Sequence, residues 1–254
     1  MSGLKAIYIL WLREMKRFVR SKSRIIGMLS MPLMFLAFFG LGFSGLNIPG
    51  LRSELRYIDF LVPGIIGMGL LFNSMFAGIS VLWDREFGFL KEIMVAPVKR
   101  IHIVLGRIAG GATIALIQGI LILLISILAG FALPSLQGFL ISIIFMLLIS
   151  TTFIGLGLAF ASKMKDMQGF NLIMNFIIFP LFFLSGAIFP IDNLPTSIKI
   201  ISLIDPLTYG IDGLRFSLIG FSMFNIIINL FALICFSVFF ASLGTYLFEK
   251  SESV

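Results

Sequence analysis

A chain of 254 residues with 59% hydrophobic and 12% charged residues and a mean hydropathy of +1.11 is far more apolar than a soluble domain, which holds about 45–50% apolar and about 25% charged residues. The composition excludes a water-soluble globular domain and predicts an all-α integral membrane protein. A single cysteine, Cys235, in an apolar run excludes a disulfide framework and a thiolate metal site. The net charge of +7 is accounted for by membrane orientation and anionic lipid, not by nucleic acid.

The chain opens with LKAIYILWLREMKRFVRSKSR at 4–24. Leu4, Tyr8, Trp11, Met15 and Phe18 share one face at helical spacing, while Arg13, Lys16, Arg17, Arg20 and Arg24 fall largely on the other. Charges that follow and interleave with the apolar residues do not make a signal peptide. The segment 1–24 is predicted to be an interfacial helix along the inner leaflet, with Trp11 at headgroup depth. Its basic face either anchors the chain or also meets a cytoplasmic partner.

Asp, Glu, Lys and Arg are absent from 25–51, 60–83, 108–162, 167–191 and 216–248. A spanning helix needs about 20 residues, so the run 108–162 holds two, turned at LPSLQG in 133–138. Six spans are predicted, near 25–43, 61–83, 108–131, 139–162, 170–189 and 221–248. With the N-terminus inside, 15 of the 19 Lys and Arg lie on the cytoplasmic side, and Arg52, Arg56, Lys199 and Arg215 remain outside. The positive-inside rule then predicts a multi-pass plasma-membrane protein with both termini cytoplasmic.

The span interiors hold no Asp, Glu, His, Lys or Arg, and Gln118, Asn171 and Asn175 are among their polar side chains. Proton- or voltage-driven coupling needs such charges, whereas amides more often bond between helices. GFSG at 42–45 resembles an intramembrane serine protease motif, yet Ser44 and the sole histidine, His102, are predicted on opposite faces, roughly 30 Å apart. Asp59, Asp192, Asp205 and Asp212 all fall in outside segments, so no paired-aspartate centre forms mid-membrane. No GxxxxGK[ST] stretch occurs, and no catalytic residue is assigned.

The stretch WDREFGFLKEIMVAPVKR at 83–100 is a polar island between apolar blocks. Trp83, Phe87, Leu90 and Met94 form an apolar stripe, and Pro97 ends it. A short cytoplasmic helix at 84–100 is predicted. Its mixture of acids and bases suits a protein contact better than a lipid surface. Further on, Pro190, Pro195 and Pro206 interrupt the segment 190–220 too often for a crossing. Gly106, Gly110, Gly155, Gly157 and Ala159 permit close helix approach and supply a dimer hypothesis.

WDREFGFLKEIMVAPVKR, LSGAIFPIDNLP at 184–195 and LIDPLTYGIDGLR at 203–215, in that order, resemble type-2 ABC exporter permeases, the class that includes drug and polysaccharide exporters. The resemblance implies a half-transporter that pairs with a second permease copy and with separate ATP-binding cassette subunits. Those subunits bind ATP and Mg, and this chain needs no cofactor. By position it implies ATPase docking at Arg85, Glu86, Phe87, Phe89, Leu90 and Glu92, joined by Arg13, Glu14 and Arg17. It also implies a re-entrant outer hairpin at 190–220, with Phe189, Pro190, Pro206, Tyr209 and Asp212 as an outer gate. Spans one and five would border the substrate route, lined by Phe35, Phe38, Phe39, Phe176, Phe179, Phe182 and Phe183. The competing expectation is a non-transporting membrane scaffold or insertase-like partner.

Overall fold

The computed structural model describes residues 3–42, 56–88, 98–164 and 166–251. The helices in chain order are α1 (Gly3–Arg20), α2 (Lys22–Gly42), α3 (Tyr57–Ala77), α4 (Ile79–Glu86), α5 (Arg100–Leu128), α6 (Leu136–Lys163), α7 (Met167–Leu184), α8 (Thr196–Ile204), α9 (Pro206–Ile219) and α10 (Ile226–Ser251). A single 3-10 turn, Ile191–Asn193, precedes α8, and there is no strand among the described residues. Among the described residues, six segments are long and apolar enough to span a membrane: Lys22–Gly40, Tyr57–Glu86, Arg100–Leu128, Leu136–Lys163, Met167–Leu184 and Ile226–Lys250. The expected all-α membrane architecture is therefore present.

Packing centres on α3 and α6. Phe60, Phe145 and Phe153 are fully buried there, and α6 meets α3, α5, α9 and α10. Lipid offers no hydrophobic drive between helices, so association rests on close packing and interhelical hydrogen bonds. A Cβ on Gly157 would lie 2.4 Å from Met75 O, and one on Gly78 would lie 2.4 Å from Gly157 O. Gly78 is also the break between α3 and α4, so the second span crosses α6 backbone to backbone. Gly155 opposes Phe240 and Ala241 of α10, Gly106 opposes Leu10, and Gly110 opposes Glu14. These contacts withdraw the glycines as support for a dimer and leave the pairing itself untouched. At Gly106, Gly110, Gly155 and Gly157, close approach is used within one chain.

Three boundaries differ from expectation for identifiable reasons. The third span begins at Arg100, not near 108, and carries Arg107 inside the helix. The helix tolerates that charge because a partner on α4 neutralises it. The last span begins at Ile226, not 221; the Asp212 carboxylate accepts from the Met223 and Phe224 N–H groups and holds the preceding turn open. Asp84 to Glu86 close α4 instead of opening a separate helix, and Gly88 adopts φ 73°. The predicted helix at 84–100 is thus broken at Gly88, and its centre, 89–97, lies outside the described residues.

α1 runs alongside the first turns of α5, with Gly3 over His102 and Glu14 over Gly110. Trp11 Nε1 donates to Thr113 Oγ1 at 3.0 Å. Ala6, Glu14 and Phe18 are buried, while Leu4 and Tyr8 are exposed. The predicted pair of short helices in 190–220 is present as α8 and α9. Pro206 starts α9, where its missing N–H costs nothing, and Asp205 caps it by accepting from Leu207 N–H at 2.9 Å. Thr208 and Tyr209 donate to the carbonyls of Ser202 and Leu203, folding the two helices together. α9 is wedged into the body: Gly210 meets Ile149, and Gly213 meets Phe145.

Candidate functional site

The end of the bundle that carries α1 holds a buried ionic cluster. Asp84, in the last turn of α4, accepts from Arg107 Nη2 at 2.7 Å and from Arg13 Nη2 at 2.6 Å. Arg107 also donates to Ser80 Oγ at 3.1 Å. Asp84 and Arg107 side chains are each 5% exposed, while Arg13 is 30% exposed. Glu14 pairs with Arg17 at 3.1 Å on the adjacent turn of α1. One carboxylate thus ties α1, α4 and α5 together. Removing one member of a buried pair strands a charge and costs about 3–5 kcal/mol.

Beyond the cluster, α4 ends in an exposed tip. Glu86 faces outward, Trp83 is half-exposed, and Phe87 is 75% exposed, its ring 6.1 Å from that of Trp83 in an edge contact. Arg85 donates to Met164 O at 3.0 Å, linking the tip to the end of α6. Of the residues implied as docking positions, Arg13 and Glu14 are drawn into the body, Arg17 is half-buried, and Glu86 and Phe87 are presented. Phe89, Leu90 and Glu92 lie outside the described residues, as does Met94. Asp84 and Arg107 were not singled out from sequence as a pair. The available signal was spacing: a helix beginning at Arg100 places Arg107 two turns inside.

The opposite end is held by a second buried charge. Arg215 on α9 donates from Nη2 to Gly186 O at 2.6 Å and to Ala187 O at 3.2 Å, and from Nε to Phe60 O at 3.3 Å. Its guanidinium lies 3.6 Å over the Phe60 ring. Burial pushes the Arg215 pKa down to about 9, against the opposing pull of Asp212. Asp212 is buried, accepts from Met223 N–H at 2.7 Å, Phe224 N–H at 2.9 Å and Asn229 Nδ2 at 2.8 Å, and so anchors the entry to α10. Tyr209 stands 5.6 Å from the Phe224 ring, and burial raises its pKa. Pro190 and Pro206 are buried and Phe189 is exposed. The structure brings Tyr209 and Asp212 to one turn, before α10, and leaves Phe189 elsewhere on the same end. Asp205 is buried with Oδ2 unpartnered. Burial pushes its carboxyl up to about 8, against the Leu207 N–H that favours the charged form.

The aromatic residues expected along the route form a ladder between α2 and α7. Phe35 stacks on Phe39 at 5.6 Å and meets the buried Phe182 edge-on at 5.8 Å. Phe179 meets Phe72 at 5.6 Å and Phe183 at 6.5 Å. Phe38 and Phe176 point away from the body and are exposed.

The chain matches the family described as ABC-2 type transporter over residues 5–219. It is 28% identical over 248 residues to the ycf38 protein of Cyanophora paradoxa, covering 92% of this chain and 85% of that protein. It is 27% identical over 245 residues to the inner membrane transport permease YadH of Escherichia coli K12, covering 92% and 94% respectively. Nodulation protein J of Rhizobium meliloti is 28% identical over 235 residues, covering 90% of this chain and 86% of that protein. With six membrane-length helices around a packed core and a family match over most of its length, the chain belongs to the ABC-2 type transporter family and is a transmembrane permease subunit of an ABC transporter.

Proposed function

We propose that the chain forms one half of an export pathway, paired with a second permease copy and driven by two ATP-binding cassette subunits. The observation that carries this reading is the buried contact of Arg13 and Arg107 with Asp84. A force on the exposed Glu86–Phe87 tip reaches α4, α5 and α1 together through one carboxylate. A rigid link of this kind suits a machine whose two packings are switched from one end. The tip is taken as cytoplasmic, because 15 of 19 basic residues then lie inside.

In this reading the cassettes bind ATP and Mg and dock on Arg85, Glu86, Phe87, Phe89, Leu90 and Glu92, with Arg13, Glu14 and Arg17 alongside. Phe189, Pro190, Pro206, Tyr209 and Asp212 control the outer end. Phe35, Phe38, Phe39, Phe176, Phe179 and Phe183 line the route at the junction of two copies, where the exposed rings of α2 and α7 are covered. α1 rests on anionic lipid through its basic face.

The test is ATP hydrolysis by the cassettes co-purified with this permease in lipid nanodiscs. Glu86→Arg and Phe87→Ala are expected to lower permease-dependent hydrolysis by about tenfold, equivalent to about 1.4 kcal/mol, without altering the thermal unfolding of the permease alone. Unchanged hydrolysis and unchanged binding in both variants would place docking elsewhere.

A further inference from the structure

Among the described residues, a space is left between α1, α2 and the α3–α5 core. A cavity of about 570 Å³ is walled by the end of α1, the start of α2, α3, α4 and α5. A second, of about 180 Å³, continues it, and the two share Gly27, Met28, Asn73 and Phe76. Arg17 and Arg24 stand at the wider part with Glu14 and Arg107. Met31, Met68, Phe72 and Gln118 line the narrower part.

The walls carry polar groups that nothing in the described protein satisfies. Arg107 is 6% exposed and engages Asp84 and Ser80, yet its Nε has no partner. Gln118, 2% exposed, donates from Nε2 to Met28 O and leaves Oε1 unpaired. Asn73 Nδ2 is also buried without a partner. Among the described residues no ion pair engages the Arg24 guanidinium. Of the three guanidinium groups that line the wide part, Arg107 is paired with Asp84 and Arg17 with Glu14, which leaves Arg24 as the one to be matched. Buried donors left unmatched are costly, and arginine forks fit phosphate-type anions. The flexible thioethers and rings beyond them suit an alkyl chain.

We propose that this cavity binds an anionic amphiphile, with a phosphate-type head between Arg17 and Arg24 and its chain running past Met28 and Phe76 toward Gln118. An uncharged amphiphile leaves Arg24 without a counter-charge, and a free anion leaves the methionine and phenylalanine walls empty. The site lies within one chain, and its occupancy is read by binding alone, independently of hydrolysis or export. The head chemistry has two sources, a resident phospholipid and a single-chain alkyl phosphate carried as cargo.

Trp83 lines the cavity, and the chain has two tryptophans. In a Trp11→Phe background Trp83 becomes the sole reporter, quenched by bromine only at near contact. Titrating the purified permease in neutral detergent with brominated dodecyl phosphate is expected to give saturable quenching. Arg24→Gln should weaken half-saturation by about tenfold, the loss of one charge-assisted contact. Gly27→Phe should remove the saturable component, since a Cβ there meets nothing within 4 Å and the ring enters the cavity without disturbing the fold. Competition by phosphatidylglycerol identifies a resident lipid as a source, and competition by unlabelled dodecyl phosphate alone identifies a single-chain cargo; either supports the site. Equal quenching by brominated dodecanol, full displacement by inorganic phosphate at the same concentration, or indifference to both substitutions overturns it.

Discussion

Replacing Asp84 by asparagine keeps the side-chain shape and removes the charge that two arginines share. Arg107 then sits with its side chain 5% exposed, beside an amide that accepts only weakly. Breaking a buried pair by removing one partner costs about 3–5 kcal/mol, and that range applies to the Arg107 side of the cluster. The Arg13 side contributes less, because its guanidinium is 30% exposed and solvent screens it, so Arg13→Gln is expected to cost about 1 kcal/mol or less. Combining Asp84→Asn with Arg107→Met removes the stranded charge along with its cause, and should recover more than half of the single-variant loss. The assay is equilibrium unfolding in mixed micelles followed by tryptophan emission, with Trp83 adjacent to the altered residue. An Asp84→Asn cost no larger than that of Arg13→Gln, or a simply additive double variant, contradicts a shared buried charge.

Arg215→Lys removes the fork that reaches Gly186 O, Ala187 O and Phe60 O, and is expected to cost about 1.5–3 kcal/mol by the same unfolding assay; a loss below about 0.5 kcal/mol contradicts the assigned role. Burial holds the Asp205 carboxyl at about 8, above its usual value of 3.8, so the folded state binds a proton that the unfolded state releases across that window. The associated stability is complete below about pH 4 and is lost as pH rises through about 8. Asp205→Asn keeps the acceptor for Leu207 N–H and should flatten the fall in melting temperature between those limits; parallel curves for parent and variant contradict this. Gly157→Ala forces a methyl against Met75 O and should destabilise by about 1–3 kcal/mol. Gly27→Ala, in open space within α2, should stabilise by about 0.5–1 kcal/mol through helix propensity.

Much of the architecture was legible because lipid punishes charge. Runs free of Asp, Glu, Lys and Arg located six crossings, and the prolines of 190–220 excluded a further one, while the two short helices there came from the family resemblance. The ionic cluster was not legible for the same reason. Hydropathy treats Arg107 as a flanking charge unless Asp84, 23 positions away, is known to face it, and that requires α4 to continue the second span. Arg215 counted only toward orientation, since nothing in its neighbours announces three carbonyl partners brought from α3 and the turn after α7. Glycine patterns showed that helices approach closely without showing which ones, and a contact within the chain reads the same as one between copies. Tyr209 and Asp212 sit three residues apart on α9, so their proximity was readable, but the cap that Asp212 makes for the turn at 223–224 depends on tertiary placement.

The central claim is that energy enters at the tip of α4. Cys235 is the only native cysteine and is exposed, so a Cys235→Ser background permits single reporters. The most direct measurement is disulfide trapping in membranes between Phe87→Cys on the permease and single cysteines on the co-expressed ATP-binding subunit, with Phe189→Cys at the opposite end as control. The account predicts a Phe87→Cys adduct whose yield changes with nucleotide, and none from Phe189→Cys. An adduct from Phe189→Cys, or none from Phe87→Cys in a complex that still hydrolyses ATP, contradicts it.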